Sequence, residues 1–141
     1  MYKPQKEFPY LQEFSKFPID ENTVFCLRRA AYADEVYFNG SGNDTIVIDT
    51  IYADKELPPD IEVHELKHLE RQGNNSDEWI KKYLADNKFR LDEEILAFKS
   101  QLNSIKDRNE RNEVRIKAAE SLSGKLYGEI ITYAEALKKL C

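Results

Sequence analysis

LPPDIEVHELKHLERQG, residues 57–73, holds the change of character on which the fold turns. The Pro58-Pro59 pair ends the extended pattern before it, because proline lacks a main-chain donor and biases the preceding residue away from helix. Asp60 is the predicted N-cap and Gly73 the predicted stop, bounding a helix of about three turns. Within it His64 and His68 stand four apart, and Glu65 directly follows the first. The chain has 2 histidines, so this helix carries both.

Upstream, the chain reads as extended. Residues 1–18 are rich in aromatics and proline, and their pattern predicts an arm with a short helix near 10–16 whose rings cover the core. Residues 23–32, TVFCLRRAAY, fit a strand or a short helix equally, since periodicity cannot separate them over so few residues. VYF at 36–38 and TIVIDTIYA at 45–53 flank the turn cluster NGSGND and read as a strand pair.

Downstream, the pattern is helical. One helix follows Asn75 and Ser76, with Asn75 and Glu78 at capping-box spacing. A third is expected from about Asp92 to Lys106. A long fourth is expected from about Glu110 to Leu140, with Ala119, Leu122, Leu126, Tyr133, Leu137 and Leu140 as its buried stripe. The expectation is a single α+β domain over 1–141: a small antiparallel strand region at 23–53, then helices over 60–140.

Bulk properties narrow the function classes. With 41% hydrophobic and 33% charged residues in a chain of 141, the composition is that of a folded domain and not of a disordered one. A net charge of −5 argues against nucleic acid or an anionic membrane as partner. No apolar run approaches the ~18 residues a membrane span needs, and the first residues lack a secretory h-region. Together these predict a cytoplasmic protein. Cys26 and Cys141 make no disulfide framework or zinc-binding CxxC, and a bridge between them stays open.

Residues four apart on a helix project from nearly one direction, about 40° apart at 100° per residue. His64 and His68 therefore present two imidazoles together, which is what a zinc ion needs from two nitrogen ligands. Leu66 points about 160° away, so an apolar side is expected to pack while the imidazole side faces a cleft. Glu65 lies beside the ligand face, able to take a proton from water without occupying a coordination position. Random placement gives this arrangement in roughly 1 case in 600, so a third ligand is worth seeking.

No histidine remains, which leaves carboxylates, or less readily a cysteine, and LDEEILAFKSQL at 91–102 offers three of the former. Leu91, Ile95, Phe98, Leu102 and Ile105 define a core stripe. Glu94 lies about 60° from its centre, at the edge of the buried face, whereas Glu93 lies about 160° away and is expected to face water. Asp92 is intermediate, near the expected helix start. Glu94 is the choice because a half-buried carboxylate is costly unless paired or metal-bound; Glu93 and Asp92 stay as alternatives. Ala97 would leave room for the histidine helix, and Gln101 could support a ligand by a hydrogen bond.

His64-Glu65-Leu66-Lys67-His68, followed by Glu94-Ile95-Leu96-Ala97, resembles the gluzincin class of zincin metallopeptidases, with their HExxH and helical ExxA/S. The likeness runs from about Thr45 to Gln101 and is nearest to small phage and bacterial metallopeptidase-like domains. Phe98 stands where many larger members carry an aspartate. The resemblance implies a compact zincin-like domain, Zn2+ held by His64, His68 and Glu94, Glu65 as general base, and a peptide or protein substrate. It also implies that strand 45–53 is an edge strand pairing with substrate. Tyr127 and Tyr133 are read first as core tyrosines with satisfied hydroxyls, with an oxyanion donor as the alternative role for either, and no transition-state-stabilising residue is assigned. The alternative reading is an inactive domain of the same kind, with structural zinc, that binds a partner peptide.

Overall fold

The computed structural model describes residues 2–32 and 45–141, the side chains of 30–32 and 45–47 apart. The expected strand at 36–38 and turn at 39–44 lie outside the described residues. β1 (Tyr2–Lys3), β2 (Phe25–Tyr32) and β3 (Thr45–Tyr52) form one sheet in the order β1-β3-β2. β2 and β3 are antiparallel, in register from Phe25 opposite Tyr52 to Tyr32 opposite Thr45. β1 adds in parallel, Tyr2 opposite Ile51.

The ambiguous run at 23–32 is thus a strand over Phe25–Tyr32, and its successive side chains turn to opposite sides, both of them covered at Phe25, Cys26 and Leu27. Phe25 and Leu27 join an aromatic cluster with Phe8, Phe14, Tyr52, Trp79 and Ile80. Cys26 turns the other way, against Ile51 and Leu69. The sheet is mixed, not antiparallel throughout, because a two-residue strand such as β1 leaves no periodic signal. β3 lies between two strands at Ile51 and Tyr52, whereas over Thr45–Thr50 its one paired neighbour among the described residues is β2, so the expected edge is lost only at its last two residues. Among the described residues β2 is the other edge strand of the sheet.

The arm covers the core as expected, though its helical parts are 3-10 turns at Gln5–Glu7 and Leu11–Phe14. Phe8 stacks on Phe25, with ring centroids 4.6 Å apart and planes 8° from parallel.

Five α-helices follow: α1 (Pro59–Gln72), α2 (Ser76–Ala85), α3 (Asn87–Asn103), α4 (Arg108–Leu122) and α5 (Tyr133–Lys139). Pro58, not Asp60, is the N-cap of α1, with Pro59 in the first turn, where a missing N–H costs nothing. Gly73 ends α1 as expected, at φ 58°. Asn75 caps α2, its side chain accepting from Glu78 N–H at 3.1 Å. α3 begins five residues before Asp92, because Asp86 caps it through Phe89 N–H.

The expected long helix over 110–140 is broken. α4 stops at Leu122, a 3-10 turn occupies Lys125–Tyr127, and Gly128 and Glu129 both take positive φ, 90° and 54°. Thr132 then caps α5 through Glu135 N–H. Ala119, Leu122 and Leu140 do enter the core with Phe98, Leu102 and Ala136. Tyr133 does not; it is exposed at the start of α5. Cys26 is buried, Cys141 exposed, and both are free. Among the described residues no helix is long and apolar enough to cross a membrane.

Candidate metal centre

The face of α1 that turns inward is mostly polar. Its buried residues are His64, Glu65, His68, Leu69 and Gln72. Leu66, expected to pack, is 47% exposed. The imidazole side is covered because α3 packs along it, while Leu69, beside Leu66, is buried against Cys26 and Ile51. α3 offers Glu94, Ala97 and Gln101, three, four and seven residues apart on one face. Ala97 is fully buried, and its small side chain lets the helices approach.

Burying imidazoles and carboxylates is costly without compensation. Here the polar atoms converge. His68 Nε2 lies 3.1 Å from His64 Nε2 and 3.0 Å from Glu94 Oε1, and His64 Nε2 lies 3.4 Å from the same oxygen. Three ligands at zinc–nitrogen and zinc–oxygen distances in tetrahedral geometry would stand about 3.3 Å apart. The observed triangle fits that spacing. Glu94 Oε2 strengthens the fit: it is buried, 2.8 Å from His68 Nε2, yet without an aligned hydrogen-bond donor among the described residues.

The surroundings prepare the ligand atoms. Gln101 Nε2 donates to Asp60 Oδ2 at 2.8 Å, and a carboxylate can only accept. Gln101 Oε1 therefore faces His64 Nδ1, at 3.0 Å, and must receive its N–H. In the neutral ring that leaves the lone pair on Nε2, directed at the cluster. The supporting role expected of Gln101 is what this chain of bonds provides. Replacing Gln101 with leucine should weaken metal binding by about 10–100-fold, measured by competition with a chelator, while a melt shows the fold retained. Phe98 and Trp79 pack edge-on against His64 and His68, at 4.5 and 5.6 Å between centroids.

Neither alternative carboxylate reaches the cluster. Asp92 is exposed and pairs with Lys88 at 2.9 Å. Glu93, expected in water, is 2% exposed; it accepts from Trp79 Nε1 at 2.7 Å and Arg71 Nε at 3.0 Å. The face of α3 it occupies is covered by α1 and α2, which the core stripe alone did not reveal. Among the described residues no fourth His, Cys, Asp or Glu joins His64, His68 and Glu94.

Beside the triangle, a cavity of about 490 Å³ opens between β2's start, α1, α4 and the 3-10 turn. Glu65 lines it. Burial pushes the Glu65 carboxyl up, the two histidines draw it back, Glu94 repels it, and the Cys26 thiol bonds to it, with a net rise. Tyr127 lines the same cavity; Tyr133 does not. Burial first, then the Glu94 and Glu65 charges, raise the Tyr127 phenol well above its usual value, so it stays a donor. Arg90 Nε holds the Tyr127 carbonyl at 3.2 Å, which fixes the turn carrying that ring. Tyr83, which no motif or spacing singles out, also lines the cavity and is raised for the same leading reasons, burial and Glu94.

No protein-family model matches this chain, nor does any curated protein or solved structure.

Proposed function

We propose that the chain is a zinc-dependent hydrolase of peptide bonds. The observation that carries this reading is the triangle of His64 Nε2, His68 Nε2 and Glu94 oxygen at 3.0–3.4 Å, beside a cavity that a buried Glu65 lines. Zinc held there would bring the pKa of a coordinated water toward about 7 and polarise a carbonyl.

The chain's own groups supply the rest. Glu65, with its carboxyl raised by burial, accepts a proton from the attacking water and passes it to the leaving amine. Tyr127 donates its phenol proton toward the oxygen on which negative charge develops. His64 and Glu94 stay fixed by Gln101, Ala97 and the helix pair. Substrate main chain docks along the start of β2, because Asn22–Cys26 line the cavity and no described residue of β3 does.

Three protein ligands with a cavity alongside favour a reactive site over a structural one, which closes with four. The test is elemental analysis with an activity assay. One zinc per chain is expected, with hydrolysis of a peptide mixture that a chelator abolishes and zinc restores. A metal-free chain with unaltered activity would remove the reading. The protein supplies its own reporter of loading, because its 1 tryptophan packs against His68. Cobalt(II) should quench Trp79 fluorescence saturably, and His68→Ala should abolish the quenching.

A further inference from the structure

Main-chain groups of alternate residues on an edge strand point away from the sheet and invite another strand. On β2 these residues are Cys26 and Arg28, and one side chain already meets both. Gln72, four residues after His68 on the buried face of α1, donates from Nε2 to Cys26 C=O at 3.1 Å. It accepts at Oε1 from Arg28 N–H at 2.8 Å. Its carboxamide stands where the peptide group of a neighbouring strand would stand. Gln72 is 4% exposed, so the pairing is not a loose surface contact.

The cavity stops at the same place. Its wall on this side runs from Asn22 to Cys26 and does not include Leu27, Arg28 or Gln72. The outward groups left on the cavity side are those of Val24 and the Cys26 N–H. Glu65 lines the same cavity as Cys26.

We infer that Gln72 is a stop in the substrate groove, so that the site acts on peptides close to one chain end. This rests on the peptidase reading above. An extended substrate paired with Val24 and Cys26 meets the Gln72 amide within about 7 Å, two residues of strand. To continue, it would have to displace two buried hydrogen bonds, which lowers its affinity about tenfold or more. An antiparallel substrate would be limited on its amino-terminal side, a parallel one on its carboxyl-terminal side. The shared feature is a nearby chain terminus.

The test uses the zinc-loaded full chain and peptides lengthened one residue at a time from either end, with termini free or blocked. Wild type should show kcat/KM rising with length on one side and falling about tenfold once the other side passes the stop. The direction of that asymmetry identifies which terminus is read. Gln72→Ala should lift the limit and move cleavage inward, with metal content unchanged. If the alanine variant does not fold, Gln72→Asn, which withdraws the same amide by one methylene, must move the limit outward instead. Cleavage by wild type in the middle of long blocked peptides as readily as near an end would overturn the inference. If no peptide is cut, the peptidase reading fails, and the stop is judged by binding, read from Trp79 fluorescence. A plateau with length in wild type that Gln72→Ala removes would support it, and identical length dependence in both would sink it.

Discussion

A Glu65→Gln protein should keep its zinc and lose about 10²–10⁴-fold in peptide hydrolysis. The substitution preserves shape and leaves His64, His68 and Glu94 untouched, so only the acid–base group changes. Its stability should hold or rise, and the sign follows from the raised Glu65 carboxyl. A carboxyl whose folded pKa exceeds its unfolded value destabilises the fold once pH passes the unfolded value, because the charge is worse off inside. A neutral amide removes that cost. Loss of activity with equal or higher melting temperature is the pattern of a group kept for chemistry at the expense of stability. Full activity in Glu65→Gln would end the general-base assignment. Reduced zinc content would show that Glu65 supports the metal instead.

Where the sequence could be read, the reason was local geometry. The spacing of His64 and His68 fixes their common direction on any helix, and the same rule separated Glu94 from Asp92. The same rule failed for Leu66 and Glu93. A wheel gives the angles between side chains, but which angle is buried depends on how many neighbours pack and where. α1 is covered on its polar side, and α3 is covered on two sides, so Leu66 went out and Glu93 went in. The sheet order was out of reach for a similar reason: the β1–β3 pairing joins residues about fifty positions apart through two residues of strand. The break in the long helix is different, since its signals were present. Gly128 next to a segment capped by Thr132 with Glu135 three residues on marks a stop and a restart. Tyr127 enters the cavity because the chain turns there.

Metal affinity should rise by up to about tenfold per pH unit below pH 9, and about five-hundredfold between pH 6 and pH 9. The cause is His68. Burial alone would lower its pKa, but the Glu94 charge and hydrogen bond, with Glu65 and Glu93 behind them, raise it to about 9 in the metal-free protein. Zinc binds the neutral ring, so one proton must leave His68 for each metal gained. Metal-free stability runs the opposite way. His68 starts from an ordinary value of 6.5 when unfolded. Its contribution is therefore complete below about pH 6.5 and disappears as pH climbs through about 9. Glu94 is held well below the usual carboxylate range: burial opposes this, but the two histidines beside it, the His68 charge first, prevail. Its contribution is present above the unfolded carboxylate value and is lost only in strong acid. Between pH 6.5 and 9 the melting temperature of the metal-free chain should fall, while the increment given by zinc at fixed free concentration should grow. Calorimetry at buffered zinc, repeated across that window, reads both at once. A zinc increment independent of pH would mean that His68 is not protonated in the metal-free cluster. The close contact of His68 with Glu94 would then be a neutral hydrogen bond, and the electrostatic support for the ligand set would be lost.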